Sequence, residues 1–218
     1  ADRLAKQFNA RAYSKVEDLI NDPEVELVDI ASRSLDHYEM TRLALKANKH
    51  VFLEKPICAN HAEAKRLKKM HEKSRGNLYI RHNRRFEPAF LHIREIIASG
   101  ILGDIYEVKL ARTSYLRRDD WQTLKSCGGG QLMNWGPHII DHALRFLESP
   151  VDSMWSDLKR IAAAGDAEDH LKIVLKGANG RVVDLEISGG AAINAPQFLI
   201  WGTKGALQSD GAQLQLRY

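Results

Sequence analysis

A lysine follows an apolar run in the sequence Val51-Phe52-Leu53-Glu54-Lys55-Pro56. The apolar residues predict a buried strand, which places Lys55 at its carboxyl end beside a proline that restricts the backbone. Partial desolvation lowers the pKa of a lysine, so a lysine in such a place can exchange a proton with a bound molecule. The alternative is an ordinary surface lysine in a turn.

A second group of polar side chains lies around a helix predicted from Pro137 to Leu147. His138 can act as an acid or base or bind a hydroxyl group, whereas Asn134, four residues earlier, can only orient its neighbours because an amide accepts no proton. Asp141 can hold the imidazole tautomer or a hydroxyl group of a bound molecule. The alternatives are a histidine satisfied by backbone groups and an acid favoured by the helix dipole.

The elements that position Lys55 alternate between strand and helix. Strands are predicted at Val25–Ser32, Val51–Leu53 and Leu78–Ile80, and helices at Val16–Asn21 (capped by Ser14), Asp36–Lys49 and His61–Ser74 (capped by Asn60). Strand, helix, strand with crossovers of this length predicts a parallel sheet, whose ligands bind outside the carboxyl ends of the strands. We therefore expect an α/β domain, with an incomplete Rossmann-like parallel sheet, in residues 1–82.

The remaining residues, 83–218, predict a different kind of domain. Helices are expected at Ala89–Ser99 and Pro137–Leu147, and strands at Ile105–Tyr115, Ser153–Ile161, His170–Leu175, Val182–Ser188, Phe198–Trp201 and Ala206–Ser209. Helices followed by strands joined through short hairpins indicate an α+β domain with a large, mostly antiparallel sheet.

Composition excludes several classes of function. The chain has 218 residues and a formal net charge of +4, but its basic and acidic residues are interspersed, which argues against nucleic-acid binding. No apolar run approaches the length that spans a bilayer, so no membrane association is expected. Cys58 and Cys127 form no disulfide or metal pattern, and a cytoplasmic setting is expected.

Two motifs occur in this order in the chain: Glu54-Lys55-Pro56 and, later, Gly128-Gly129-Gly130-Gln131-Leu132-Met133-Asn134-Trp135-Gly136-Pro137-His138-Ile139-Ile140-Asp141. Together they resemble the motifs of the glucose-fructose oxidoreductase/inositol dehydrogenase/MocA (Gfo/Idh/MocA) family. That family comprises NAD(P)-dependent sugar and polyol oxidoreductases. The resemblance implies that Lys55 lies between cofactor and substrate. Because Asn134 replaces the aspartate of the family's Asp–His pair, it also implies His138 as the acid or base, with Lys55 as its partner.

The resemblance implies further contacts. The residues expected to bind the cofactor, NAD or NADP, are Ser32, His37, Glu54, Lys55, Pro56, Asn83 and Arg84. Those expected to bind the substrate are Trp121, Asn134, His138 and Asp141. Trp121 can stack on a sugar or nicotinamide ring, although packing in the core is an equal alternative. Arg85 is as well explained by a structural ion pair.

The expected function is hydride transfer to or from a secondary alcohol of a sugar, polyol or derivative. A non-catalytic sugar-binding homologue or a fragment is the alternative, since no glycine-rich pyrophosphate turn is present where family members carry one upstream, and the C-terminus also looks short. A third hypothesis is a metal-dependent hydrolase or isomerase that uses His138, Asp141 and His142. A homodimer or homotetramer through the C-terminal sheet is expected.

Overall fold

The computed structural model describes residues 1–218, which form two compact units at residues 1–81 and 82–218. The first unit contains α1 (Asp2–Phe8), α2 (Val16–Asn21), β1 (Leu27–Ile30), α3 (His37–Lys46), β2 (His50–Leu53), α4 (His61–His71) and β3 (Leu78–Ile80). Its three strands are parallel in the order β1-β2-β3, which confirms the predicted sheet. No helix of the chain is long and apolar enough to cross a membrane.

Local signals explain the helix boundaries in this unit. Asn60 accepts a hydrogen bond from the amide of Glu63 (3.0 Å), so the predicted cap of α4 is confirmed. The predicted Ser14 cap of α2 is wrong, because Lys15 occupies the cap position and Ser14 lies one residue too early to reach the first amides. Helix α3 is shorter than predicted, since a 3-10 turn precedes it and Asn48 adopts a left-handed conformation after it.

The core of the first unit lies where α2 and α3 pack on the sheet. Its buried residues are Ile20, Val28, Ile30, Ala44, Leu45, Val51 and Leu53. In β2 the buried residues Val51 and Leu53 alternate with the partly buried His50 and Phe52. The core thus holds β2 in place, and Glu54 follows directly at its carboxyl end.

The second unit contains α5 (Pro88–Ala98), β4 (Ile105–Thr113), α6 (Gln131–Asn134), α7 (Gly136–Leu147), β5 (Val151–Lys159), β6 (His170–Gly177), β7 (Val182–Ser188), β8 (Phe198–Gly202), β9 (Ala206–Ser209) and β10 (Leu214–Arg217). The strand order is β10-β9-β8-β4-β7-β6-β5, and only the β4–β7 pair is parallel. The mostly antiparallel sheet is thus confirmed, while α6 and β10 were not predicted.

Helices α5 and α7 cover one face of this sheet. Phe90 and Ile93 from α5 and Ala143, Phe146 and Leu147 from α7 join the sheet residues in one buried cluster. Strict alternation along the predicted strand from Ile105 would put Ile105 on the same face as Glu107 and Lys109, and the structure differs. A β-bulge between Ile105 and Glu107 shifts the register, so that Ile105 is buried like Val108 and Leu110.

Candidate active-site residues

The carboxyl ends of the three parallel strands lie along one edge of the first unit. The amide of Glu54 donates to the carbonyl of Ile30 (2.9 Å), and the amide of Arg81 donates to the carbonyl of Leu53 (2.8 Å). These bonds align Glu54, Lys55 and Pro56 with the ends of β1 and β3. The Lys55–Pro56 peptide bond is cis. A partly exposed ion pair joins Glu54 to Arg81 (3.3 Å), so Glu54 already has a partner within this unit.

His37 is 1% exposed beneath this edge, at the start of α3. Its Nδ1 lies 2.7 Å from the carbonyl oxygen of Pro56, and its Nε2 lies 3.1 Å from the carbonyl oxygen of Ser32. Because a carbonyl oxygen only accepts, at least one ring nitrogen donates its proton. The imidazole therefore joins the segment after β1 to the segment after β2, a contact that differs from the cofactor contact expected for His37.

Five of the residues that the sequence predicts to contact the cofactor lie at this edge: Ser32, His37, Glu54, Lys55 and Pro56. Ser32 offers a hydroxyl group, and the turn after β2 offers backbone groups and the Lys55 side chain, at the strand ends where open α/β sheets bind ligands. The cofactor contacts of these residues stay predictions. No G-x-G-x-x-G sequence occurs among the 218 residues.

In the second unit, His138 lies in the first turn of α7 and is 7% exposed. It lines a cavity of about 40 Å³ together with Arg84, Arg112, Trp135 and others. The Trp135 ring packs edge-on against the imidazole, with centroids 5.7 Å apart. The structure thus brings the predicted residues Arg84 and His138 to one cavity.

His82 also lies beside His138, with the two rings edge to face at 6.4 Å. Its buried Nδ1 has no hydrogen-bond partner in the protein. Burial lowers the pKa of His82, although the negative charge of Asp141 opposes this shift. Burial thus favours the neutral form of the His82 imidazole. The position of His82 immediately before the Asn83-Arg84 pair is the sequence signal that could have identified it.

Asp141 lies on α7 and forms ion pairs with two arginines. Arg85 donates two hydrogen bonds to its carboxylate (2.8 and 2.6 Å), and Arg145 donates a third (3.2 Å). Burial alone would raise the pKa of Asp141, but the hydrogen bonds and charge of Arg85 outweigh it and lower the pKa. The structural ion pair considered for Arg85 is thus present.

Asn134 ends α6 and lines a separate cavity of about 160 Å³ with Gln122, Gln131 and Trp135. Its Nδ2 donates to the side-chain oxygen of Gln122 (3.3 Å). The glycines before α6 pack internally, because a side chain at Gly129 would overlap the backbone of Gln122. Asn83 begins an exposed 3-10 turn and Trp121 begins another, so their ligand contacts stay predictions.

Two of the three side chains considered as metal ligands, Asp141 and His142, are engaged by other groups of the protein. Asp141 is engaged by arginines, and the Nε2 of His142 donates to the carbonyl of Arg84 (3.0 Å) while its ring stacks on Phe90 at 4.0 Å. The chain contains no group of three His, Cys, Asp or Glu side chains that could hold a metal ion.

Arg112 was not identified from the sequence. It follows Val108 and Leu110 on the same face of β4, beyond the helix-covered core, and its guanidinium stacks on Trp135 at 3.6 Å. The alternating pattern of β4 could have identified Arg112, because it places this arginine on the same face as the buried residues Val108 and Leu110. A cation at such a position needs a specific neighbour, such as an aromatic ring.

Comparison with known proteins extends over both units. Residues 1–82 match the family described as oxidoreductase family, NAD-binding Rossmann fold, and residues 90–208 match the GFO/IDH/MocA C-terminal domain. The expected NAD(P)-binding domain is thereby confirmed at the level of the family.

Individual relatives agree with this assignment. The chain is 26% identical over 216 residues to a myo-inositol 2-dehydrogenase from Thermotoga maritima, covering 93% of this chain and 62% of that protein. It is 35% identical over 144 residues to a scyllo-inositol 2-dehydrogenase (NADP(+)) from Bacillus subtilis, covering 65% of this chain and 40% of that protein. The chain thus spans less than two thirds of the length of these relatives.

A solved structure of an NAD-binding protein from Listeria innocua shares the fold, with a TM-score of 0.91, 24% identity and coverage of 98% of this chain and 62% of that one. The predicted fold class, a parallel sheet followed by a mostly antiparallel one, is confirmed. With both domain families matched in order, the chain belongs to the Gfo/Idh/MocA oxidoreductase family.

Proposed function

We propose that the intact protein is an NAD(P)-dependent oxidoreductase that transfers a hydride to or from a secondary alcohol carbon of a sugar, polyol or derivative. The observation that carries this proposal is the joint match to the NAD-binding and C-terminal families of this group. The names of two relatives, both inositol 2-dehydrogenases, support a polyhydroxylated substrate.

We assign the proton transfer to Lys55 and His138. Lys55 follows the central strand of the parallel sheet, and His138 is a largely buried imidazole on a rigid helix. The nicotinamide, when bound, supplies or accepts the hydride, and the protein fixes the alcohol carbon and handles its hydroxyl proton. Asn134 can contribute hydrogen bonds but no proton transfer, because it is an amide.

Turnover assays with the intact protein test this assignment. Lys55→Met and His138→Gln should each lower kcat by roughly 100- to 10,000-fold, the usual contribution of a positioned acid or base, while calorimetric binding of NAD+ or NADP+ persists. Lys69→Met, an exposed lysine on α4, is the matched control and should keep full turnover. Unchanged turnover in both test variants would remove the proposed roles.

The alternative is a sugar-binding homologue without redox activity, which the amide of Asn134 suggests. The same assay separates the two, using a panel of inositols, aldoses and sugar acids with each cofactor. Reduction of NAD+ or NADP+ by any member excludes the alternative. Sugar binding without reduction by any member favours it.

We also propose that the protein is a homo-oligomer that associates through the open face of the seven-stranded sheet. The register places Trp155, Val174, Asp184, Lys109 and Leu199 in one row on the face opposite α5 and α7. Trp155 is 56% exposed there, and exposed aromatic residues are enriched at interfaces between subunits.

A further inference from the structure

The strongest unassigned feature is a cavity of about 390 Å³ in the second unit, beside the smaller cavity that His138 lines. Its lining is polar and includes Gln131, Ser188, Asn194 and Gln197 around the guanidinium of Arg112. This volume lies in the range of small-molecule sites. The chemistry of the lining should therefore indicate the class of ligand that it accepts.

Arg112 is a half-buried cation without a carboxylate partner. Its guanidinium forms no hydrogen bond or ion pair with the protein and stacks on Trp135. Burial, and then the charge of Arg84, lower its pKa, while the charge of Glu87 opposes them, and a guanidinium remains charged at neutral pH. Its five N–H donors are thus available in a fixed planar arrangement that matches a carboxylate or phosphate.

A second observation points to a ligand in the same cavity. The side-chain oxygen of Gln131 is buried and has no hydrogen-bond donor in the protein. Buried acceptors are normally satisfied, so this oxygen calls for a donor such as a ligand hydroxyl group. The one acidic lining residue, Asp210, accepts hydrogen bonds from the amides of Ala212 and Gln213 (2.9 and 2.7 Å), so its carboxylate is engaged by its own loop.

Arg112 and His138 are connected through one aromatic ring. Arg112 stacks on Trp135 at 3.6 Å, and the His138 ring packs against the same Trp135 ring at 5.7 Å, so the guanidinium and the imidazole share one aromatic neighbour. Both residues also line the 40 Å³ cavity. A single small molecule can therefore contact both.

We propose that the substrate carries an anionic group, a carboxylate or a phosphate, which Arg112 binds while the reacting alcohol faces His138. This inference deepens the proposed function and rests on it for the reacting alcohol alone. It makes Arg112 a specificity-determining residue that selects acidic sugars over neutral ones. Gln131 accepts a hydrogen bond from a hydroxyl of the same molecule.

The test compares matched probes on the intact protein. Calorimetry measures binding of D-glucose, D-galactose, D-glucuronate, D-galacturonate and D-glucose 6-phosphate, and a nicotinamide assay measures turnover of the same compounds. At least one acidic probe should bind 10-fold or more tightly than its neutral counterpart. Comparing the uronates with the sugar phosphate shows whether the cavity prefers a carboxylate or a phosphate.

Arg112→Gln should weaken binding of the preferred acidic probe by roughly 10- to 100-fold, as expected for a charge-assisted hydrogen bond, and leave the neutral sugar unchanged. Arg112→Lys should recover part of the preference, and thermal unfolding verifies that both variants fold. Arg94→Gln, which removes an exposed arginine near Phe90 at 5.9 Å, is the matched control.

The results separate this inference from the proposed function. An Arg112-dependent preference for acidic probes without nicotinamide reduction keeps the anion site and removes the oxidoreductase proposal. Reduction of the nicotinamide with neutral and acidic sugars used equally keeps the function and overturns the anion site. Equal weakening of neutral and acidic probes in Arg112→Gln, or no binding of any acidic probe, also overturns it.

Discussion

The buried imidazole of His37 contacts two backbone carbonyl groups, those of Ser32 and Pro56, and so connects the segments that follow β1 and β2. Lys55 is the residue before Pro56, so the position of its backbone depends on this contact. We infer that His37 is a positioning residue for the turn that carries Lys55, which would make its effect on catalysis indirect.

Replacement of His37 tests this inference at the residue scale. His37→Phe keeps a buried ring but removes both hydrogen-bond partners, and we expect faster amide hydrogen exchange in residues 54–58 together with a lower kcat. An exposed histidine on α4 gives the control His61→Gln, which should change neither quantity. Normal exchange in residues 54–58 of His37→Phe would show that the turn is held by other contacts.

At the scale of elements, the loop between β5 and β6 is organised by one carboxylate. Asp169 is 5% exposed and accepts hydrogen bonds from the amides of Ile161 (2.6 Å), Ala162 (2.9 Å) and Ala163 (2.8 Å). Burial opposes the charge, but these amides outweigh it and lower the pKa of Asp169. The carboxylate thus stabilises the loop above its unfolded pKa, near 4, and loses this contribution as the pH falls through its folded pKa.

Substitution of Asp169 should therefore destabilise the second unit. Asp169→Ala leaves three amides without their acceptor, and we expect a loss of roughly 2–4 kcal/mol in the free energy of unfolding, measured by urea denaturation. Asp166→Asn is the control, since Asp166 is exposed and accepts a single amide bond from Lys125 (2.8 Å). A loss below about 1 kcal/mol in Asp169→Ala would contradict this account.

The packing of α5 against α7 predicts a dependence on pH. His142 stacks on Phe90, and its burial lowers its pKa despite the hydrogen bond to Arg84; burial also lowers the pKa of His82. The unfolded chain then binds more protons than the folded one below about pH 6.5, so stability should fall as the pH drops through this range.

The free energy of unfolding at pH 7.5 and pH 5.5 measures this effect. His142→Gln should be less stable at pH 7.5 but show a smaller further loss at pH 5.5 than the unsubstituted protein. His92→Gln, at an exposed position on α5, should keep the original pH dependence. Identical pH dependence in His142→Gln and the unsubstituted protein would exclude His142 as a source.

The elements that could be predicted from sequence are those with a clear period or cap. Strands β1 to β3 and the β6–β7 hairpin have apolar patterns bounded by turn residues, and Asn60 marks α4. Helix α6 and strand β10 lack such signals: α6 is a single turn that begins where Glu168 accepts a hydrogen bond from the Leu132 amide, and β10 pairs with the edge of β9. The bulge in β4 likewise depends on its partner strand.

The motifs drew attention to His138 and Arg84, and the structure places both on the lining of one cavity. Their roles in binding and catalysis stay predictions. The roles of Asp141 and Arg112 depend on Arg85 and Trp135, partners that are distant in sequence. Such pairings follow from the crossing of α7 over the sheet, which local sequence does not encode.

At the scale of the whole molecule, the open face of the sheet predicts association. Trp155→Lys places a charge within the proposed interface and should shift the protein to a monomer in sedimentation equilibrium. Met154→Lys is the control, because Met154 is the neighbouring exposed residue on the opposite face of the same strand. A monomeric unsubstituted protein, or equal effects of both variants, would contradict association through this face.

The position of β4 in the sheet also has a consequence for folding. This strand is the first of its sheet to be synthesised, yet both of its neighbours, β7 and β8, come from residues 182–202. Hairpins β5–β6–β7 and β8–β9–β10 close locally, whereas β4 gains its partners only through long loop closures, which are slow. Until then both backbone edges of β4 lack their partners, and we expect the growing chain to be most prone to aggregate in the interval before β8 has left the ribosome.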